Sequence, residues 1–152
     1  MSLTRVELKF VEGALTVRLC TLSPKGVPLI TPLWFGRDGD GLYLGTRRDA
    51  FHSRHIERNP RVVLLFSDQR GRRTRRVLRV TGTAALEPKE SLTRRRQFRM
   101  AVRYYLPPAL AWDRLRNWRR WATLGRYHAE RPDIATVVIQ MDSAEFLEQP
   151  VP

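Results

Sequence analysis

Apolar and polar residues alternate with a period of two along several segments of the chain. In the first of these, residues 14–22, one face would carry Leu15, Val17, Leu19 and Thr21. This period places successive side chains on opposite faces, as in a β-strand. Other segments of strand length are rich in aliphatic, aromatic or β-branched residues, and we predict a strand in each: residues 29–35, 42–46, 61–67, 76–83 and 134–141.

Other segments have the features of helices. Thr4 and Glu7 have the spacing of a capping box, which begins a short helix that Gly13 ends. Asp49 is placed to cap a second short helix, which Pro60 prevents from continuing. Before the last strand, apolar residues recur every three or four positions and predict two amphipathic helices, one with Phe98, Ala101, Val102 and Tyr105 and one with Ala111, Leu115, Trp118 and Ala122.

The order of these elements predicts a single domain, residues 1–152, that is mainly β with helices. The connections between the first strands are too short for the crossovers of a parallel sheet, so neighbouring strands should run antiparallel. We therefore predict a six-stranded antiparallel barrel. It would have a short helix between strands 3 and 4 and a helical insertion before the last strand.

Composition adds a strong positive charge to this picture. Of the 152 residues, 42% are hydrophobic and 28% are charged, as expected for a packed domain. The 28 lysines and arginines exceed the 15 acidic residues by a net charge of +13, which would attract polyanions. The arginines are spread over every segment, and the arginine-rich run 70–79 contains no aromatic residue on which a base could stack. Both facts argue against a basic nucleic-acid-binding barrel.

Several kinds of active site have no counterpart in the sequence. Cys20 is the only cysteine, so one chain can form neither an internal disulfide nor a cysteine metal cluster. The three histidines, His52, His55 and His128, lack a recognisable metal-binding spacing, and there is no nucleophile elbow. We therefore expect no metal site and no catalytic side chain. The chain also lacks a signal-like amino terminus and a membrane-spanning apolar run, so we expect a cytoplasmic protein.

Five short motifs carry a family resemblance by their order and spacing. They are R-L-C-T-L-S-P-K-G-V-P at residues 18–28, T-P-L-W-F at 31–35, L-Y-L-G-T at 42–46, H-I-E-R-N-P-R-V at 55–62 and V-T-G-T-A at 80–84. Together they resemble the FMN-binding split-barrel superfamily, which includes pyridoxamine 5′-phosphate oxidase and its deazaflavin-using relatives. The resemblance covers residues 14–86, with a weaker match at the last strand.

The resemblance implies a six-stranded split barrel that forms a homodimer, with two cofactor sites at the dimer interface. In such proteins the strand that matches T-P-L-W lies along the isoalloxazine ring of FMN. The residues that it supplies here are Ile30, Thr31, Pro32, Leu33 and Trp34. The threonine or serine that ends the next strand in the family corresponds to Thr46.

The resemblance also implies a group of residues that bind the phosphate of the cofactor. The family's phosphate clamp, usually a serine-arginine-lysine run just before the helix, falls on residues 50–52, and this chain departs from it there. The donors left for a phosphate are the N–H groups at the helix start and the side chains of Arg47, Arg48, His52 and Arg54. On the fifth strand, Arg76 matches a position from which the partner subunit contacts the cofactor.

The resemblance implies an oxidoreductase that transfers a hydride between bound FMN and an unidentified small molecule. Pyridoxamine 5′-phosphate oxidation itself is disfavoured, because the carboxy-terminal segment that binds the substrate in such enzymes has no counterpart in residues 142–152. A deazaflavin-dependent reductase is an alternative, since a polyanionic deazaflavin tail would suit the charge of +13. A flavin-binding protein without turnover would carry the same motifs and is a further hypothesis.

Overall fold

A computed structural model of the chain describes residues 2–67, 76–88, 94–105, 115–119 and 134–148. The helices and strands follow one another in the order α1 (Arg5–Gly13), β1 (Val17–Leu22), β2 (Pro28–Leu33), β3 (Phe35–Asp38), β4 (Gly41–Arg47), α2 (Phe51–Arg58), β5 (Arg61–Ser67), β6 (Arg76–Pro88), α3 (Arg94–Tyr105) and β7 (Ile134–Glu148).

The described strands form one antiparallel sheet in the order β2-β1-β5-β6-β7-β4-β3. Its longest ladder joins β6 to β7 and runs from the pair Arg76 and Glu148 to the pair Pro88 and Ala135. The register of this ladder shifts between Thr81 and Gly82. A Cβ on Gly82 would lie 2.5 Å from the carbonyl oxygen of Gln140, so the two backbones approach there as only glycine permits.

The hydrophobic core lies on the inner face of this curved sheet. Alternate residues of β1, β5 and the first part of β6 point into it, as the period-two pattern predicts. The helices α1 and α2 add Val11 and Ile56 to the same cluster. Its strand members include Val17, Leu19, Phe35, Leu42, Leu44, Val62, Leu64, Phe66, Leu78, Val80, Val137 and Ile139.

Helix α1 begins at the predicted capping box. The hydroxyl of Thr4 accepts from the N–H of Glu7, and the Glu7 carboxylate accepts from the N–H of Thr4 at 2.7 Å. These two bonds satisfy donors that the first turn of a helix leaves unpaired. Asp49 does not cap α2, in contrast to our prediction. The cap is Ala50, without a side-chain hydrogen bond, and the Asp49 carboxylate binds the guanidinium of Arg47.

The prediction of a mainly β, antiparallel fold with helices is confirmed, with α2 before the predicted fourth strand and α3 before the last. The predicted number of six strands is wrong. The predicted strand 29–35 is interrupted at Trp34, and its two parts, β2 and β3, lie at opposite edges of the sheet, which makes seven described strands. Because both edges remain, these strands do not close into a continuous barrel.

Two further boundaries differ from the sequence prediction. The last strand continues to Glu148, beyond the predicted end at residue 141, because its later residues pair with the first half of β6. The first predicted strand covers residues 14–22 with Leu15 on the same face as Val17 and Leu19, but β1 begins at Val17, and Leu15 precedes it and is 38% exposed. The second predicted amphipathic helix lies largely outside the described residues.

No described helix is long and apolar enough to cross a membrane.

Candidate cofactor-binding site

The residues of the T-P-L-W motif lie on β2, which is an edge strand of the sheet. Its partner on one side is β1, and no described strand pairs with the other side. An edge strand presents unpaired backbone N–H and C=O groups at alternate residues. Pro32 has no N–H to offer, while Ile30, at 57% exposure, and the half-buried Thr31 and Leu33 frame this edge.

Trp34 lies between β2 and β3 and stacks on Tyr104 of α3. The two ring centroids are 4.6 Å apart and their planes differ by 6°. Tyr104 is buried and its hydroxyl hydrogen-bonds both the N–H and the C=O of Phe35, each at 3.0 Å. Trp34 remains 46% exposed, so it is not a core residue. The insertion helix therefore holds an exposed aromatic ring at the end of the motif strand.

Thr46, near the end of β4, is joined directly to His52 of α2. Its Oγ1 lies 2.5 Å from Nε2 of the His52 ring, which is only 6% exposed. One turn later, Nδ1 of His55 lies 3.1 Å from Oγ1 of the buried Thr21 on β1. Burial, and next the neighbouring His55, hold the pKa of His52 below its ordinary value. The His52 ring is therefore neutral at neutral pH and faces the protein.

The start of α2 offers backbone N–H groups without a side-chain cap. This arrangement, with the positive end of the helix dipole, favours an anion. Ser53 fixes the turn before it by donating its Oγ proton to the carbonyl oxygen of Arg47 at 2.7 Å. The N–H of Arg54 bonds the carbonyl oxygen of Ala50 at 3.1 Å, so the helical hydrogen bonding begins there.

Three exposed arginines surround the start of this helix. Arg47 pairs with Asp49 at 2.5 Å, and Arg48 lies 4.0 Å from the carboxylate of Glu57. The guanidinium of Arg54 makes no hydrogen bond or ion pair within the described part of the chain. Exposed ion pairs contribute little to stability, so an incoming phosphate could take over these guanidinium groups at small cost.

Arg76 lies elsewhere in the same chain. It is the first residue of β6, and its guanidinium lies 4.5 Å from the centroid of the Phe146 ring on β7. Strands β1 and β5 separate β6 from β2 in the sheet. Thr46, Arg47, Arg48, His52 and Arg54 all lie in the segment from the end of β4 to the start of α2. Strand β4 contacts β2, which carries the T-P-L-W residues. Arg76 lies outside this group.

A groove of about 790 Å³ crosses the outer face of β1, β5 and β6. Its apolar floor includes Cys20, Leu22 and Leu65, and Arg61 and Arg79 lie along it. Burial raises the pKa of the Cys20 thiol, which therefore stays protonated at neutral pH. This groove does not coincide with the start of α2. The sequence pattern did not predict this groove, because the groove forms where outward-facing residues of three separate strands meet.

Sequence reasoning also missed Tyr104 as a neighbour of the motif strand. Tyr104 and its hydrogen-bond partner Phe35 are 69 positions apart in the sequence, a separation that no local pattern spans. The amphipathic pattern predicted for this helix ends at Tyr105 and leaves Tyr104 off its apolar face, so it gave no signal for this contact. Among the described residues, no three histidine, cysteine or acidic side chains gather into a group that could hold a metal ion.

A family model described as pyridoxamine 5′-phosphate oxidase matches residues 3–148 of this sequence. The chain belongs to the pyridoxamine 5′-phosphate oxidase family. The family match covers β2, which carries the T-P-L-W residues, and also β7. At β7 the short motifs alone gave only a weak resemblance to the family. No sequence among the curated proteins matches the chain.

Several solved structures share the fold of this chain. An F420 reductase has 20% sequence identity and a TM-score of 0.63, with 90% of this chain and 94% of that chain covered. A Listeria innocua protein named for pyridoxamine 5′-phosphate oxidase has 17% identity, a TM-score of 0.64 and coverage of 95% and 97%. HutZ, a haem storage protein from Vibrio cholerae, has 16% identity, a TM-score of 0.61 and coverage of 97% and 95%. At these identities the likeness concerns the fold alone.

The residues present fit a phosphorylated flavin of the kind that the pyridoxamine 5′-phosphate oxidase family binds. The uncapped start of α2 and the exposed Arg48 and Arg54 supply donors and positive charge for a phosphate. The unpaired edge of β2 supplies backbone donors and acceptors for the polar edge of a planar ring. The two features lie on adjoining parts of the fold, because β4, which leads into α2, contacts β2.

Proposed function

We propose that this protein binds FMN and acts as an oxidoreductase that transfers a hydride between the flavin and a small molecule. Membership of the family supports the choice of a flavin. The observation that carries the proposal is the uncapped amino terminus of α2, which is flanked by Arg47, Arg48 and Arg54. An anion-binding helix start next to an edge strand is suited to a cofactor with a phosphate at one end and a planar ring at the other.

In this proposal the isoalloxazine ring lies along β2, against the backbone of residues 30–33 with Trp34 beyond the end of the strand. Thr46 contacts the ring from the end of β4, and the phosphate lies at the start of α2. Bound flavin supplies the hydride chemistry, and the protein positions the ring and excludes water from it. We propose no side-chain nucleophile and no metal ion for the reaction.

A homodimer would complete each site. The outer groove has the apolar floor and charged margin that an interface between two copies requires, and we propose that a second copy of this chain covers it. Arg76 of that second copy would then contribute to the cofactor site. Leu65→Arg, in the groove, should convert the dimer to a monomer and abolish flavin binding in analytical ultracentrifugation and fluorescence titration. Leu15→Arg, at an exposed apolar residue outside the groove, is the matched control and should change neither.

Phosphate recognition is tested by comparing FMN with riboflavin, which has the same ring and no phosphate. Arg54→Ala should weaken FMN binding about tenfold or more, because a charge-assisted hydrogen bond contributes about 1.5–3 kcal/mol. Riboflavin binding should stay unchanged. Arg58→Ala changes an exposed arginine at the other end of α2 and should leave FMN binding intact. Equal losses for Arg54→Ala and Arg58→Ala would contradict the assignment.

A deazaflavin cofactor is the second candidate. One structural neighbour is an F420 reductase, and the net charge of +13 would favour a polyanionic tail. Titration with FMN and with the deazaflavin coenzyme, at low and at moderate salt, separates the two candidates. A protein that binds one of them but oxidises or reduces no substrate would be the flavin-binding protein without turnover. Tight, salt-sensitive DNA binding without affinity for either cofactor would overturn the proposed function.

A further inference from the structure

His52 lies where the family carries a phosphate-binding lysine, but its ring does not face the solvent. The side chain is buried, with 6% exposure, and its Nε2 lies 2.5 Å from the hydroxyl oxygen of Thr46. Arg48 and Arg54 are exposed at the same end of the helix. The ring of His52 therefore contacts a residue proposed to touch the flavin ring, and not the surface at which a phosphate would arrive.

The direction of this hydrogen bond decides what the Thr46 hydroxyl can offer to a ligand. A threonine hydroxyl has one proton and two lone pairs. If Nε2 accepts, the hydroxyl proton is used by His52 and the oxygen can only accept from a ligand. If Nε2–H donates, the hydroxyl proton is free to turn away from His52 and can be donated to a ligand.

The surroundings of the other ring nitrogen favour the second arrangement. A neutral imidazole carries its proton on one nitrogen, so an accepting Nε2 would require a proton on Nδ1. Within the described part of the chain, Nδ1 of His52 has no hydrogen-bond partner. In a ring that is only 6% exposed, a proton on Nδ1 would be left to pair with solvent alone, whereas an unprotonated Nδ1 requires no acceptor.

We propose that His52 is a positioning residue that donates its Nε2–H to Thr46 and so directs the Thr46 hydroxyl proton toward the flavin ring. This inference rests on the proposed flavin site. Thr46 then donates to a carbonyl oxygen or an unprotonated ring nitrogen of the flavin. The phosphate is left to the arginines and to the start of α2. The departure from the family's phosphate clamp thus has a defined use, since the imidazole fixes a neighbouring hydroxyl.

The direction of the hydrogen bond can be measured without any cofactor. In protein with ¹⁵N-labelled histidine, the nitrogen resonances distinguish protonated from unprotonated ring nitrogens, and the spectrum of His52→Gln assigns the signals of His52. At neutral pH we expect a protonated Nε2 and an unprotonated Nδ1. The opposite pattern would overturn the proposal, whether or not the protein binds a flavin.

The effect on the ligand is measured with FMN and riboflavin in parallel. Thr46→Val should weaken the binding of both about tenfold, because it removes a donor to the ring that they share. His52→Leu should weaken both to a similar extent, and the double variant should add little, since the two residues act through one hydrogen bond. His52→Gln retains an N–H donor and should restore most of the affinity.

The same titrations separate this inference from its alternatives. A loss of FMN affinity without a loss of riboflavin affinity in His52→Leu would show a phosphate contact and overturn the proposal. Additive losses in the double variant would also overturn it, because Thr46 and His52 would then act independently. If wild-type protein binds neither flavin, the proposed function fails, while the ring-nitrogen signals still decide the direction of the hydrogen bond. Circular dichroism of each variant confirms that it is folded.

Discussion

The hydroxyl of Tyr104, on α3, binds both backbone polar groups of Phe35, the first residue of β3. It accepts from the N–H and donates to the C=O, at 3.0 Å each, in a buried setting. Strand β3 is an edge strand, so the phenol here takes the place that a neighbouring strand would otherwise fill. Tyr104 thereby links α3 to the start of β3, directly after the T-P-L-W residues.

Tyr104→Phe should destabilise the protein by about 1–3 kcal/mol, because it leaves a buried N–H and a buried C=O without partners. Urea unfolding followed by fluorescence measures the loss. The matched control is Tyr43→Phe, since the Tyr43 hydroxyl makes one hydrogen bond, to the carbonyl oxygen of Arg96 at 3.2 Å, in a partly buried position. The control should lose less. Equal losses would mean that the second hydrogen bond of Tyr104 contributes nothing.

Gly36→Ala should be strongly destabilising, because the ring of Tyr43 lies directly over Gly36 on the neighbouring strand. A Cβ on Gly36 would lie 2.2 Å from Cζ of Tyr43, much closer than atoms in contact can approach. Forcing the ring aside should cost about 1–3 kcal/mol, as other overpacked cores do. Gly45→Ala is the control, since a Cβ there meets nothing within 4 Å. Thermal unfolding that lowers Tm equally for both variants would contradict this packing argument.

Thr136→Val should be neutral or stabilising, an unusual result for a fully buried residue. Oγ1 of Thr136 has no hydrogen-bond partner among the described residues, so replacing the hydroxyl with a methyl group removes a buried polar atom that none of them satisfies. Thr21→Val is the matched control at another buried threonine. There the hydroxyl binds His55, and its loss should cost about 1 kcal/mol. A Thr136→Val protein less stable than the Thr21→Val protein would disprove the interpretation.

The stability of the protein should fall as the solution is acidified below about pH 6.5, the ordinary pKa of histidine. Burial lowers the pKa of His52 in the folded protein, so the unfolded chain takes up a proton that the folded chain refuses. The contribution of His52 to the free energy of unfolding is fully present above the pKa that the ring has in the unfolded chain. It is lost as the pH falls toward the lower pKa that the ring has in the folded protein.

His52→Gln carries no titrating ring and should show a smaller decline in the free energy of unfolding over the same range. Urea unfolding at about pH 7.5 and about pH 5.5 measures the difference between the two proteins, above the range in which most carboxylates titrate. His55→Gln removes the second cause that lowers the pKa of His52, so less stability should be lost between the two pH values than in the wild type. Identical declines in the wild type and His52→Gln would exclude His52 as the source.

Much of this fold follows from local pattern in the sequence. The period-two segments became strands because one face of each is buried, and the capping box of Thr4 and Glu7 begins α1 as its spacing predicts. The pattern did not predict the break at Trp34. Residues 29–35 are predicted as one extended segment, and only the packing of Trp34 on Tyr104 and the separate pairings of β2 and β3 divide them.

The candidate site remains a prediction, and the structure bears only on how its side chains are arranged. Motif spacing placed Thr46, His52 and the arginines in one segment, but it could not show which side chains face inward. The expectation that His52 could contact a phosphate was natural for a histidine at a helix start. Its burial and its hydrogen bond to Thr46 depend on how α2 lies against β4, which the sequence does not specify locally.

The last described strand, β7, occupies an interior place in the sheet, between β6 and β4. The hairpin of β3 and β4 has no other strand partner among the described residues, so β7 alone connects it to the remaining four strands. A nascent chain that has not yet exposed residues 134–148 therefore holds two unjoined half-sheets, each with an open edge. The sheet can therefore be completed only after this strand has been synthesised. Until then the unpaired strand edges expose the nascent chain to aggregation, which chaperones prevent.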